Sequence, residues 1–101
     1  MTSNKYVGGD WDEFLNDQKK DPELALAFQV EFDRLQLARR VRALRGEHGL
    51  SQEKLAEMVG TKQPAIARLE AGSSLPRLDL LERIAHALGA HVDVRFVPNR
   101  A

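Results

Sequence analysis

The chain has 101 residues, of which 43% are hydrophobic and 30% are charged, and its Lys/Arg and Asp/Glu residues are equal in number. This length suits about one domain, and this balance is typical of a globular chain rather than a disordered one. No apolar run approaches the roughly 18 residues that a membrane span needs. The absence of cysteine excludes disulfides, thiol catalysis and thiolate metal sites. We therefore expect a small cytoplasmic protein that does not bind a membrane.

Acidic and basic residues are unevenly distributed along the chain. Residues 1–32 contain three Lys/Arg against seven Asp/Glu, a net charge of −4, and residues 33–101 have the opposite net charge of +4. An acidic arm joined to a basic body suggests two different partners. The alternative is that both sets of charges only keep a small protein soluble.

The N-terminal region contains two signals for the start of a helix. Asp10-Trp11-Asp12-Glu13 has the spacing of a capping box, and apolar residues follow it on one helical face. Asp21-Pro22 is the second signal, because Asp caps a helix well and Pro suits the first helical position. Only one glycine interrupts the chain from there to about residue 48, which predicts one long helix or two nearly continuous ones.

Two short helices are predicted next, at about residues 51–58 and 62–71, with Ser51 and Thr61 as N-caps. A third follows a Gly-Ser-Ser loop and is ended by Gly89.

The hydrophobic period changes to two between residues 91 and 97. Val92, Val94 and Phe96 alternate with polar residues and Pro98 closes the segment, which predicts a β-strand. Because a single strand cannot satisfy its ladder hydrogen bonds, we expect these three residues to form a dimerisation element that pairs with a second copy. The alternative is that the segment folds back on its own chain or on the long helix.

The turn between the helices at 51–58 and 62–71 is very short. In a helix-turn-helix the two helices cross steeply, which requires a small residue, a turn that allows positive φ and a buried branched residue. Ala56, Gly60 and Ile66 meet these three needs in order. Further core contacts are expected from Leu55, Val59 and Leu69. The alternative is a generic helical hairpin in a bundle.

These motifs carry a family resemblance over about residues 35–90. The runs Leu50-Ser51-Gln52-Glu53-Lys54-Leu55-Ala56, Gly60-Thr61-Lys62-Gln63-Pro64-Ala65-Ile66-Ala67-Arg68-Leu69-Glu70-Ala71-Gly72 and Leu80-Leu81-Glu82-Arg83-Ile84-Ala85-His86-Ala87-Leu88-Gly89 resemble the Xre/Cro–repressor class of DNA-binding domains. An N-terminal Trp, an Asp-Pro-Glu helix start, this domain and a terminal strand together resemble HigA-type antitoxins of toxin–antitoxin pairs. The resemblance implies an all-α, lambda-repressor-like helix-turn-helix domain with an N-terminal helical extension and one C-terminal β-strand that pairs across a dimer.

The resemblance also implies which residues meet DNA. The helix that starts near Lys62 would enter the major groove, where Lys and Arg suit guanine, Gln suits adenine and Pro can lie against a thymine methyl. Base contacts are expected from Lys62, Gln63, Pro64, Ala67 and Arg68. Phosphate contacts are expected from Ser51, Gln52, Lys54, Ser73, Ser74 and Arg77.

Arg45 and Glu70 are assigned to a structural ion pair rather than to DNA, because this class pairs an Arg late in the first helix with a Glu late in the recognition helix. One copy reads only a few base pairs, so we expect a homodimer on a palindromic operator in double-stranded DNA.

Large apolar residues occur among the acidic residues of the arm, where a DNA-reading domain does not need them. They are Trp11, Phe14, Leu15, Leu24 and Phe28. An acidic surface with aromatic anchors suits a basic protein partner, and HigA-type antitoxins oppose small RNA-cleaving toxins with basic surfaces. We therefore expect these five residues to bind a cognate toxin. The alternative is that they cover the protein's own core or dimer seam.

Catalysis is not indicated by any residue pattern. The three histidines are dispersed without ligand spacing, and no serine lies near a His–acid arrangement. We expect no enzymatic activity, no cofactor and no metal.

The sequence thus predicts three regions: an acidic toxin-interaction arm at 1–32, a DNA-binding domain at 33–90 and a dimerisation strand with its tail at 91–101. The expected function is that of an antitoxin that neutralises its toxin and represses its own operon. One alternative is a stand-alone Xre-family repressor with no toxin partner. Another is an interaction module whose helix-turn-helix no longer binds DNA.

Overall fold

The computed structural model describes residues 21–99. The helices in this range are α1 Pro22–Glu47, α2 Gln52–Val59, α3 Gln63–Glu70 and α4 Leu78–Ala87. The chain divides into two compact units, one of residues 31–95 and a smaller one whose described residues are 21–30 and 96–99. Among the described residues, no helix has both the length and the apolar character needed to cross a membrane.

Helix α1 is one continuous helix, so the first of the two predicted arrangements is observed. Its start has the expected chemistry: Pro22 is the first helical residue, and the Leu24 N–H donates to Asp21 Oδ1 at 3.0 Å. Its end is followed by Gly49, whose φ of 65° turns the chain toward α2.

The core of the larger unit lies between the four helices. Each helix contributes apolar residues at helical spacing to this core. The buried apolar residues are Ala38 and Val41 of α1, Leu55, Ala56 and Val59 of α2, Ile66 and Leu69 of α3, and Leu81, Ile84 and Leu88 of α4 and its C-terminal end.

The turn between α2 and α3 has the geometry that the sequence predicted. Gly60 lies in the left-handed region with φ 78°, and the next N–H, that of Thr61, donates to the Ala56 carbonyl at 2.9 Å. Ala56 and Ile66 are both buried, at the contact between the two helices. The predictions for the small residue, the turn and the branched core residue are therefore confirmed.

The predicted C-terminal strand is wrong. Residues 91–99 contain neither helix nor strand, and no other described residue belongs to a strand that could supply ladder hydrogen bonds. In the larger unit, Val92 packs half-buried against the core while Val94 is exposed. In the smaller unit, Phe96 is 98% exposed. Alternating hydrophobicity predicted one apolar face, but Val92 instead folds back on its own core, and pairing of Val92, Val94 and Phe96 across a dimer is not supported.

The predicted helix around residues 10–15 falls outside the described residues, and with it the expected toxin contacts Trp11, Phe14 and Leu15.

The turn glycine gives a direct test of this fold. Gly60→Ala is expected to lower the free energy of unfolding by about 1–2 kcal/mol, because a Cβ there has space but the left-handed backbone disfavours it. The matched control Gly46→Ala also adds a Cβ in open space, on a helical backbone, and should raise the free energy of unfolding by up to about 1 kcal/mol. Urea unfolding of both variants measures the difference. Equal effects would contradict the role given to the turn.

Candidate nucleic-acid interface

Helix α3 presents its first two turns at the surface of the larger unit. Its N-cap is Lys62 and not the predicted Thr61, and no side chain caps this end of the helix. Lys62, Pro64 and Arg68 are exposed, whereas Gln63 and Ala67 are half-buried. These residues are spaced so that Gln63 and Ala67, and Pro64 and Arg68, are neighbours one turn apart. All five predicted base-contacting residues therefore lie on the accessible side of α3 or at its N-cap, opposite the buried Ile66 and Leu69.

The N-terminus of α2 provides backbone donors beside α3. Ser51 is the N-cap, and its Oγ accepts the Lys54 N–H at 3.0 Å. The positive end of the helix dipole at this position favours a phosphate. Lys54 adds an exposed cation whose contact with Glu57, at 3.5 Å, is a weak surface pair that leaves its charge available.

A groove beside α3 brings together three arginines from different segments. It is lined by Arg68 of α3, Arg77 at the N-cap of α4 and Arg83 of α4, together with Ser74 of the connecting loop and one acidic residue, Asp79. Cations at this density suit a phosphate backbone. Sequence reasoning missed Arg83, because only the packing of α4 beside α3 brings this residue to the groove.

The structure places the two serines that are predicted to contact phosphate, Ser73 and Ser74, in different surroundings. Ser73 Oγ donates to the Arg68 carbonyl at 3.1 Å and so closes the C-terminal end of α3. Ser74 lines the arginine groove. The adjacent Arg77 is almost fully exposed and lies 3.4 Å from Asp79.

Arg45 of α1 and Glu70 of α3 form a two-pronged ion pair in the larger unit. Arg45 Nε donates to Glu70 Oε2 at 2.6 Å, and Arg45 Nη2 donates to Glu70 Oε1 at 2.8 Å. Arg45 Nη1 also donates to the Leu50 carbonyl at 2.7 Å, and Arg42 donates to the Glu70 carbonyl at 2.8 Å. The Glu70 side chain is 4% exposed, and Glu70 is the one buried charged residue among residues 21–99.

The Glu70 carboxylate is also the end of a hydrogen-bonded chain that reaches the surface of α3. Gln52 Nε2 donates to Glu70 Oε1 at 3.0 Å, and Gln63 Nε2 donates to Gln52 Oε1 at 2.8 Å. The chain thus links the structural ion pair to a predicted phosphate contact and a predicted base contact. Sequence spacing gives no signal for it, because the three residues come from the starts of α2 and α3 and the end of α3.

The surroundings of Glu70 favour its ionised form. Burial alone would raise its pKa, but the hydrogen bonds from Arg45 and Gln52 and the charges of Arg45 and Arg42 outweigh burial and hold the pKa of Glu70 below its usual range. The Arg45 pKa is raised, chiefly by its hydrogen bond to Glu70. The carboxylate is therefore charged at neutral pH and only accepts hydrogen bonds.

The two predicted toxin contacts that the structure describes belong to the smaller unit. Leu24 and Phe28 lie one turn apart on α1, and each is 41% exposed. Within residues 21–99, no group of three or more His, Asp or Glu side chains is placed to hold a metal ion.

The depressed pKa of Glu70 predicts how stability depends on pH. Glu70→Gln is expected to lower the free energy of unfolding at pH 7 by about 3–5 kcal/mol, because Arg45 loses its buried counter-charge. Ionised Glu70 stabilises the fold above the ordinary glutamate pKa of about 4.3, and this contribution disappears as pH falls through the lower folded-state pKa. The difference in the free energy of unfolding between the wild type and Glu70→Gln should therefore narrow below about pH 4.

Urea unfolding at a series of pH values measures that gap. Glu82→Gln makes the same chemical change at an exposed position of α4 and should leave stability at pH 7 unaltered. A gap between wild type and Glu70→Gln that stays constant down to the lowest pH would contradict the prediction.

Comparison with known proteins agrees with this geometry. The helix-turn-helix family model HTH_3 matches residues 41–94. An HTH-type transcriptional regulator of Methanothermobacter thermautotrophicus is 47% identical over 58 residues, which cover 56% of this chain and 84% of the relative. Another, from Haemophilus influenzae, is 30% identical over 88 residues, which cover 87% of this chain and 86% of the relative.

A solved structure extends the similarity to almost the whole chain. One chain of a toxin–antitoxin module from Streptococcus pneumoniae superposes with a TM-score of 0.60 at 29% identity, covering 94% of this chain and 100% of that one. The paired short helices and the glycine turn are those of a helix-turn-helix domain. The chain belongs to the HTH_3 helix-turn-helix family of DNA-binding transcription regulators.

Proposed function

We propose that this protein is an antitoxin that represses its own operon at a palindromic operator and neutralises a cognate RNA-cleaving toxin. The observation that supports the DNA half is the accessible face of α3, which holds Gln63 beside Gln52 at the start of α2 and Arg68 in the arginine groove. The toxin half is supported by the similarity, over 94% of this chain, to a chain of a toxin–antitoxin module.

On the operator, α3 lies in the major groove. Arg68 and Lys62 donate to guanine O6 and N7, Gln63 pairs with adenine, and Pro64 and Ala67 lie against a thymine methyl. The phosphates are held at the start of α2 and along the arginine groove. They set the position of α3 on the duplex, and the base contacts set the sequence. The phosphate contacts are made by Ser51, Gln52, Lys54, Ser74, Arg77 and Arg83.

Two copies of the chain bind one operator. The eight residues of α3 cover only a few base pairs, too few to define a site, and a two-fold homodimer repeats them about 34 Å away on a palindrome. The protein acts on this site as a repressor of its own promoter.

The toxin binds the N-terminal arm. The net charge of −4 over residues 1–32 suits a basic partner, and Leu24 and Phe28 offer apolar anchors on α1 beside acidic residues. Charge then accelerates the encounter while apolar packing supplies affinity. Trp11, Phe14 and Leu15 are proposed to extend the same contact.

A second candidate is a stand-alone repressor without a toxin. The relatives from Methanothermobacter thermautotrophicus and Haemophilus influenzae are both HTH-type transcriptional regulators, which favours this function. The two candidates differ in one observation: only the antitoxin co-purifies with the product of a small basic reading frame beside its own gene.

The DNA half is tested by removing one base contact. Arg68→Ala should weaken operator binding by about 1–3 kcal/mol and relax the sequence preference at one position of each half-site. Arg95→Ala is the matched control, because it removes the same charge from an exposed residue outside the helix pair. Fluorescence anisotropy with the upstream palindrome over a range of salt concentrations measures both. Unchanged affinity in Arg68→Ala would show that α3 is not the helix in the groove.

The toxin half is tested in the full-length chain. Leu24→Asp combined with Phe28→Asp should abolish rescue of cells from the neighbouring toxin while operator binding persists. Met58→Asp, at a side chain of α2 that is 49% exposed, is the control and should keep rescue. Retained rescue by the double variant would contradict the proposed toxin site.

A further inference from the structure

We infer that Glu70 sets the direction of the hydrogen-bonded chain through Gln52 to Gln63, and that this direction makes Gln63 prefer adenine to guanine. Glu70 then acts as a specificity-determining positioning residue, although it does not touch DNA. The inference rests on the proposed contact between Gln63 and adenine, and it adds the reason why Gln63 reads adenine rather than guanine.

The Glu70 carboxylate decides the orientation of each amide in the hydrogen-bonded chain. Glu70 offers acceptor atoms only, and Arg45 holds both of its oxygens from one side. An amide side chain has one accepting end and one donating end, so Gln52 can meet Glu70 only with its NH2 group. The observed contact has this polarity, with Gln52 Nε2 at 3.0 Å from Glu70 Oε1. The opposite orientation would place the Gln52 carbonyl oxygen against a buried negative charge.

The same orientation fixes the next link. With its NH2 group at Glu70, Gln52 turns its carbonyl oxygen toward Gln63, and an acceptor at that place requires a donor. Gln63 Nε2 supplies it at 2.8 Å. The amide of Gln63 is thereby oriented by a charge on the far side of Gln52.

The atoms that Gln63 retains decide its match to a base. One N–H is used by Gln52, which leaves the carbonyl oxygen and one N–H for the major groove. Adenine presents one donor, N6, and one acceptor, N7, and so pairs with this set in two hydrogen bonds. Guanine presents two acceptors, O6 and N7, and needs two N–H groups. Reversal of the chain would leave Gln63 with both N–H groups and match guanine instead.

The three hydrogen-bonded side chains lie where water competes poorly for their hydrogen bonds. The Glu70 side chain is 4% exposed, and Gln52 and Gln63 are half-buried. Arg42 further fixes the end of α3 through the Glu70 carbonyl at 2.8 Å. Because the carboxylate is held by Arg45 from α1, it retains its orientation when Gln63 meets a base.

The test measures base preference rather than affinity alone. The full-length wild-type chain selects duplexes from a randomised pool, and Gln63→Ala identifies the position that Gln63 reads by losing its preference there. At that position the wild type should bind A·T about tenfold or more tightly than G·C. Gln52→Met, which removes the link and retains the Arg45–Glu70 pair, should reduce this ratio to within about threefold. Glu70→Gln can donate to Gln52, so it should shift the ratio further toward guanine.

Lys54→Ala is the matched control, since loss of an exposed cation should weaken all duplexes alike and leave the ratio unchanged. If Gln63→Ala loses the preference for A·T while Gln52→Met keeps that of the wild type, the inference is overturned and the proposed DNA contact remains intact. Gln52→Met carries this test even if Glu70→Gln does not fold. If Gln63→Ala keeps the preference for A·T, Gln63 does not read a base and the inference is overturned. A wild-type chain that enriches no sequence overturns the DNA half of the proposed function itself.

Discussion

The ion pair between Arg45 and Glu70 is the constraint on which the DNA-binding surface depends. It joins the last turn of α1 to the end of α3 through two short hydrogen bonds, and its carboxylate is almost fully buried. Burying a charge is costly unless it is paired and hydrogen-bonded, so the surrounding donors must remain in place for the helices to pack. The ion pair thus fixes where α3 stands relative to α1 and α2 within the larger unit.

The apolar core and the polar side of α3 have separate roles in this arrangement. Ala56 and Ile66 let α2 and α3 approach, and the left-handed Gly60 reverses the chain within a few residues. These contacts bring the start of α2 next to the start of α3, where helix dipole, lysine and glutamine are all available to DNA. Glu70 connects both parts: it is paired with Arg45 for stability, and in the proposed complex its hydrogen bond with Gln52 orients the base-reading Gln63.

Much of the fold could be predicted from the sequence because its signals are local. Asp21-Pro22 and Gly60 act through capping and backbone geometry within a few residues, and the core positions of α2 and α3 follow from helical period. The partnership of Arg45 with Glu70 was expected only from the family resemblance, since 25 residues separate the two.

Other features could not be predicted because they depend on packing. Alternation over residues 91–97 indicates a strand only when a second extended segment supplies ladder hydrogen bonds, and Val92 packs on the core instead. Ser73 and Ser74 are chemically identical, and only the position of the end of α3 determines that Ser73 donates a hydrogen bond to the Arg68 carbonyl. Arg83 and the Gln52–Gln63 link required the spatial arrangement of α2, α3 and α4.

A crystal structure of the full-length chain bound to its selected palindromic duplex would show whether the Arg45–Glu70 pair persists and whether Gln63 contacts adenine on DNA. We expect α3 in the major groove, Arg45 still paired with Glu70, and Gln63 within about 3 Å of adenine N6 and N7 while its second N–H remains on Gln52. A complex in which Gln63 points away from the bases, or in which the Arg45–Glu70 pair is broken while α3 still reads the duplex, would contradict this expectation.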